Sequence, residues 1–294
     1  MFKGILCSLL ASLLFGGLYL LATFLRPLAG EDVFGFRMLV TLPFLFLAVI
    51  VLNKRLEFVD FLQRIRREPK LIFALLISAS LVGVQMWLFL WAPNANRAID
   101  VSIGYLLMPI TMVAVGKLLY KEYLSLTKWL AILFAVIGVT SNILLTGKLS
   151  WASLLVCTGY PAYFMVRKKF GISHIHSFVV EVAMLTPIAL YFISQVDLPS
   201  IQAVNPNIYF YLFLLGLMSG VALISYTLAS TLVPFNMLGL LGYVEPCLML
   251  LISFLIGEQL DPNSYLLMIC LIIAVSLLIL DGILQLRKKR RRGI

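Results

Sequence analysis

Residues 239–258 read GLLGYVEPCLMLLISFLIGE, and this stretch decides the class of fold. It is apolar enough to lie in a bilayer, yet Glu245 and Pro246 stand near its middle. An ionisable side chain and a helix breaker are both costly at membrane depth unless protein or water surrounds them. An earlier stretch, SIGYLLMPITMVAVGKLLYKE at 102–122, has the same plan: Gly-Tyr, a few apolar residues, Pro, an apolar run and a closing Glu. Gly104 matches Gly242, Pro109 matches Pro246 and Glu122 matches Glu258, each pair separated by close to half of the 294-residue chain.

Outward from this stretch the composition agrees. The chain is 62% hydrophobic and only 12% charged, with a mean hydropathy of +1.04. Too little polar sequence is present to clothe a soluble domain, so an integral membrane protein is expected. The net charge of +10 does not imply a nucleic-acid partner, because the basic residues fall in short connections and in the tail. Cys7, Cys157, Cys247 and Cys270 are scattered singly in apolar runs, so neither a disulfide nor a metal site is indicated. Lys3 precedes an apolar run of spanning length rather than the shorter core of a cleavable signal.

Ten such runs follow one another, at roughly 4–25, 33–53, 71–91, 98–119, 126–146, 149–166, 176–194, 208–229, 234–257 and 263–286. Each is long enough to cross ~30 Å of hydrocarbon as helix. Turn-forming pairs separate them, among them Arg26-Pro27, Pro93-Asn94, Gly147-Lys148 and Asn205-Pro206. With a cytoplasmic N-terminus, the inner segments hold Lys3, the cluster from Lys54 to Lys70, Lys117, Lys121 and Lys128, Arg167 to Lys169 and the run Arg287–Arg292, which is most of the 23 Lys and Arg. That bias predicts both termini inside and an even number of spans.

The spacing predicts an internal repeat as well. Gly83-Val84 recurs as Gly220-Val221, and Tyr19 and Tyr163 sit at similar depths in spans one and six. Five spans per half make the two halves enter the membrane in opposite senses, the inverted architecture of many secondary transporters. The expected organisation is therefore all-α: a first five-helix repeat at 1–147, a second at 148–286, and a basic cytoplasmic tail at 287–294.

Within the spans, few residues carry chemistry. Glu245 lies ~11 residues into span nine, or ~16 Å at helical rise. It reads either as a proton-coupling or substrate-facing group, or as a neutral Glu hydrogen-bonded to a Tyr or Ser on a neighbouring helix. Arg37 reads as an anchor for an anionic substrate group or a partner for a carboxylate in the cavity, or as a side chain that snorkels to the interface. Glu181, near the start of span seven, is either a cavity group or a carboxylate favoured by the helix dipole alone. Gln85 and Trp87 lie deeper than the interfacial Trp91 and suit a pocket for an aromatic or amphipathic solute. Tyr19, Tyr105, Tyr163 and Tyr243 belong to the same class, with core packing as the alternative. Pro43, Pro109, Pro161, Pro187 and Pro246 interrupt five spans, either as helix breaks beside a cavity, with Pro109 and Pro246 as the matched pair, or as kinks in the packing. Glu122 and Glu258, closing spans four and nine, read as repeat markers or gate contacts. No HExxH, Walker loop, prenyl-transfer DxxxD pair or Ser/His/Asp set is present, so no enzyme, cofactor or metal is expected.

These residues resemble the EamA-type permeases of the drug/metabolite transporter superfamily, and within them the RarD-like, chloramphenicol-sensitivity group. The likeness runs through Lys3-Gly4, Glu31 with Arg37, Trp91-Ala92-Pro93-Asn94, Ser102-Ile103-Gly104-Tyr105 with Pro109, Tyr163 to Arg167-Lys168, Glu181 with Pro187, Gly239 to Pro246 and Gly257-Glu258. The resemblance implies an inner-membrane permease with a cavity between spans one to four and six to nine, the fifth and tenth helices being peripheral. The expected partners are the lipid bilayer, a small metabolite or amphipathic substrate, and protons coupled through Glu245. The other class weighed is a non-transporting membrane sensor or assembly protein on the same scaffold.

Overall fold

The computed structural model describes residues 2–121, 124–148, 150–233 and 235–291. It is all-helical among them: α1 (Phe2–Phe24), α2 (Gly30–Val51), α3 (Arg55–Arg67), α4 (Lys70–Trp91), α5 (Ala98–Tyr120), α6 (Leu126–Thr146), α7 (Trp151–Phe170), α8 (Ile175–Ser194), α9 (Leu198–Val204), α10 (Ile208–Leu232), α11 (Phe235–Leu241), α12 (Val244–Leu255) and α13 (Tyr265–Arg291), with a 3-10 turn at Pro262–Ser264. Glu122 and Pro234, and the end of the basic tail at 292–294, lie outside the described residues.

Eight helices among the described residues are long and apolar enough to cross a membrane: α1, α2, α4, α5, α6, α8, α10 and α13. Two expected spans take other forms. The run at 149–166 is α7, whose Ser, Thr and Tyr residues and basic last turn of Arg167, Lys168 and Lys169 lower its hydropathy. The run at 234–257 is two shorter helices, α11 and α12, with the chain turning at Gly242 and Tyr243.

Four of the prolines do not break their helices. Pro43, Pro109, Pro161 and Pro187 each lie inside a helix that continues through them, Pro109 within α5. Pro246 sits in the first turn of α12, just after the break rather than at it. The N–H that proline lacks has no intrahelical partner in a first turn, so it is tolerated there.

Helix ends follow local chemistry elsewhere. Ser125 caps α6, its Oγ accepting from the Lys128 N–H at 3.3 Å. Gly147 closes the same helix at φ +66°, a left-handed conformation that glycine adopts without a Cβ penalty. The last carbonyls of α1, which have no partner in their own helix, are met by two asparagines. Asn94 Nδ2 donates to Ala22 O at 2.8 Å, and Asn205 Nδ2 to Phe24 O at 2.9 Å.

The helices cluster into two compact units, and each draws on both halves of the sequence. One comprises residues 1–9, 97–161 and 229–294. In it α6 packs along α13, and α5 packs along α12. Its core joins Ile103, Leu106, Ile110, Tyr243, Leu271 and Leu278, and its close approaches use small residues: Gly138 faces Cys270, and Gly104 faces Ser153 and Val156. The other comprises residues 10–96 and 162–228, where α2 packs along α8 and α4. There Gly83 of α4 receives the Leu185 side chain of α8, while Gly220 of α10 receives Phe44 of α2.

Candidate functional site

In the unit built from residues 10–96 and 162–228, α4 carries two polar clusters on one face. Ser78 and Gln85 are seven residues apart, about two helical turns or ~10 Å, and both are buried.

The first cluster surrounds Phe89, one turn beyond Gln85. Arg37 of α2 is only 4% exposed, and its guanidinium carbon lies 5.2 Å from the Phe89 ring centre. Tyr19 of α1 is fully buried, with its ring 5.1 Å from the same phenyl ring. Gln85 is 2% exposed, and Thr41, one turn past Arg37 on α2, is fully buried. Arg37 therefore does not snorkel; it is held inside the protein on an aromatic face. A cation over a phenyl ring in dry surroundings gains about 2 kcal/mol, and a planar guanidinium matches the geometry of a carboxylate or phosphate. Trp87 stacks on Trp91 with ring centres 5.4 Å apart. Its buried indole N–H makes no hydrogen bond with any described residue. Gly30 of α2 packs on Trp91, where an added Cβ would stand 2.7 Å from the Trp91 Cβ.

The second cluster surrounds Glu181 of α8, which is fully buried. Its Oε1 accepts from Ser78 Oγ at 2.7 Å, and its Oε2 accepts from Tyr163 OH at 2.9 Å and from Arg167 Nη1 at 2.8 Å. Arg167 also bonds the Tyr163 hydroxyl, and its Nη2 donates to His174 O at 2.8 Å and Ser177 Oγ at 2.9 Å. Both carboxylate oxygens and both terminal guanidinium nitrogens are thereby occupied. A buried ion pair is tolerated when such extra bonds satisfy each partner. The helix dipole alone does not account for Glu181, and Arg167 is not a solvated loop cation: it lies within α7 and is 8% exposed.

The remaining candidates belong to the other unit. Tyr105 of α5 shares a 2.8 Å hydroxyl–hydroxyl bond with Tyr160 of α7. Tyr243 packs in the α5/α13 core at the turn before α12. Glu245 stands in the first turn of α12, partly exposed, where the N-terminal end of a helix favours negative charge. Glu258 caps α5 across the α12 junction, its two oxygens accepting from Ala98 N and Ile99 N at 2.7 Å each. At this position burial pushes the carboxyl above its ordinary range, against the lowering pull of those two N–H groups.

Thus Tyr19, Arg37 and Gln85 come together, as do Tyr163 and Glu181, while Tyr105, Tyr243 and Glu245 lie in the second unit. Phe89, Ser78 and Tyr160 were not singled out from the sequence, and Arg167 entered only as an inner-side basic residue and in the family likeness. The four-residue spacing of Tyr163 and Arg167 on one helix face was the available signal for that pair.

An all-helical chain with eight spanning-length apolar helices is a multi-pass membrane protein. The family model for EamA-like transporters matches residues 2–144. The chain is 51% identical to an uncharacterised transporter of Pasteurella multocida, over 98% of this chain and 99% of that one. It is 34% identical to the chloramphenicol-sensitive protein RarD of Pseudomonas aeruginosa, over 99% and 98% of the two chains. A crystal structure of a protein 16% identical shares the fold with a TM-score of 0.58, over 95% and 98% of the chains. The protein belongs to the EamA-like transporter family.

Proposed function

We propose that the chain is a secondary transporter of the bacterial inner membrane, moving a small metabolite or amphipathic compound by alternating access. In this reading it has ten spans, α7 and the α11/α12 pair completing the eight, with both termini cytoplasmic. The observation that carries it is a reciprocity of packing. Spans two and seven (α2, α8), four and nine (α5, α12) and five and ten (α6, α13) each pack against their own counterpart in the other half. Gly83 and Gly220, matched in the repeat, accept a large side chain from α8 and α2 respectively. Pairing of like with like is what an inverted pseudo-two-fold demands, and that symmetry is what lets a transporter expose one site to either side in turn.

Arg37, Phe89 and Tyr19 are the proposed substrate contacts, the guanidinium for an anionic group and the rings for an apolar body. Glu245 is the proposed proton-coupling group, placed at the mouth of a half-helix as discontinuous transporter helices place theirs. Proteoliposomes loaded at one pH and diluted into another test the coupling. Solute accumulation that follows the pH gradient in wild type and disappears in Glu245→Gln supports it. Gradient-driven accumulation that persists in Glu245→Gln removes Glu245 from the coupling role.

A further inference from the structure

The connection between α2 and α4 is neither a loop nor a span. It is α3 (Arg55–Arg67), joined to α2 through residues 52–54 and to α4 through Glu68 and Pro69. Both neighbours are spanning helices, so α2 leaves and α4 re-enters on one side of the bilayer. Links this short hold α3, ~20 Å long, at the membrane surface.

One face of α3 is docked onto the protein. Phe61 is buried with Leu71, Ala74, Leu75 and Ile172, and Ile65 packs on the same cluster. Phe58 meets Phe46 edge-on at 6.0 Å and the His176 ring at 6.1 Å. Arg64 donates to Phe170 O at 3.3 Å and Gly171 O at 3.2 Å, satisfying carbonyls at the end of α7. The orientation of α3 is therefore fixed.

The opposite face is left outward and mixes exposed apolar side chains with polar ones, among them Gln63 and Asp60. Leu56 is 81% exposed, Val59 49% and Leu62 40%. At 100° per residue these three interleave with Arg55 and Arg66, and Arg67 flanks them. Elsewhere, exposed Leu and Val on the spanning helices are accounted for by lipid tails, but α3 lies outside the spans. The stretch from Lys54 to Lys70 holds six basic and three acidic residues. Two of the acids are engaged, Glu57 by Lys54 and Glu68 by Arg64 at 3.3 Å. Arg55, Arg66, Arg67 and Lys70 form no ion pair among the described residues.

We propose that α3 is an interfacial helix that binds the headgroup phosphates of anionic phospholipid, with Leu56, Val59 and Leu62 seated in the acyl boundary and Arg55, Arg66 and Arg67 on the phosphates. The apolar side chains take the depth that amphipathic surface helices reach, and the long arginine stems let the charge stay at headgroup level. A phosphate accepts the paired N–H donors of a guanidinium, which a zwitterionic surface of zero net charge attracts less. Arg64 is excluded from this role by its bonds to α7.

The test is thermal unfolding of the full-length protein in nanodiscs of phosphatidylcholine, with and without phosphatidylglycerol, for wild type and for R55Q/R66Q/R67Q. Lipid that binds the folded state raises its melting temperature. Wild type is expected to melt higher as the phosphatidylglycerol fraction rises. The triple variant is expected to match wild type in phosphatidylcholine and to bind the anionic lipid roughly a hundredfold more weakly, from about fivefold per arginine. If the triple variant does not fold, R55Q and R66Q singly are expected to lose about fivefold each. A wild-type shift that survives intact in these variants overturns the proposal, as does the absence of any wild-type shift. A shift reproduced by inorganic phosphate in phosphatidylcholine discs also overturns it, in favour of a free-anion site.

Discussion

Arg167 Nη1 lies 2.8 Å from Glu181 Oε2, with side-chain exposures of 9% and 0%, and the pair ties the end of α7 to the start of α8. Removing one member leaves the other charge buried and unpaired. Arg167→Ala is expected to cost about 3–5 kcal/mol of unfolding free energy, while a double replacement by Met at 167 and Leu at 181 costs less than either single change. Denaturant unfolding in detergent reads this. Equal, additive losses would show that the two residues act independently.

Gly220 seats the Phe44 ring so closely that a Cβ there would stand 2.2 Å from Phe44 Cγ. Gly220→Ala is expected to destabilise by about 1–3 kcal/mol through overpacking, with partial recovery on adding Phe44→Leu. Gly147 is the contrasting case, with no atom within 4 Å and a φ of +66°. Gly147→Ala is expected to cost about 1–2 kcal/mol from backbone conformation alone, and no neighbouring substitution rescues it. Melting temperatures of the three variants separate the two mechanisms.

Glu258 couples pH to stability. Burial raises its carboxyl above the ordinary 4.5, so the folded chain keeps this proton to higher pH than the unfolded chain does. Its contribution is then full below that ordinary value and is lost as pH rises through the raised one. Glu258→Gln, which does not ionise, is expected to gain on wild type as pH rises from the ordinary carboxylate value through the raised one. Glu258→Ala, which loses the cap on α5, is expected to cost about 1 kcal/mol at any pH. A pH profile identical for wild type and Glu258→Gln would contradict the assignment.

The spans were legible because hydropathy is a local property: eight of the expected runs are long apolar helices at nearly the expected positions. The break in 234–257 was legible as a break but not in its place, since proline in a first turn obeys a different rule from proline in mid-helix. The helix α3 escaped because apolar runs were the signal sought. Its Phe58, Phe61 and Ile65 keep helical spacing within a polar segment. The clusters at Phe89 and Glu181 escaped for a different reason. Ser78 and Glu181 are 103 residues apart, and no periodicity within one helix announces a partner on another.

Arg37 over Phe89 carries the proposed recognition of substrate. Arg37→Lys keeps the charge but loses the planar edge and the stacked face, so it is expected to weaken substrate binding nearly as much as Arg37→Ala. Phe89→Leu is expected to weaken it less, by about tenfold or under, from the loss of one cation–π contact. A metabolite-library thermal-shift screen on purified protein supplies the ligand for these comparisons. Full affinity in Arg37→Lys would assign the residue a purely electrostatic role.

Carriage of a small solute across the membrane is best read in reconstituted vesicles. Wild-type, Arg37→Ala and protein-free liposomes are incubated with a bacterial metabolite extract across a pH gradient of either sign, and their lumens are read by mass spectrometry. At least one solute is expected to be enriched with wild type and reduced to the protein-free level with Arg37→Ala. Lumens identical for wild-type and protein-free vesicles under both gradients would contradict it.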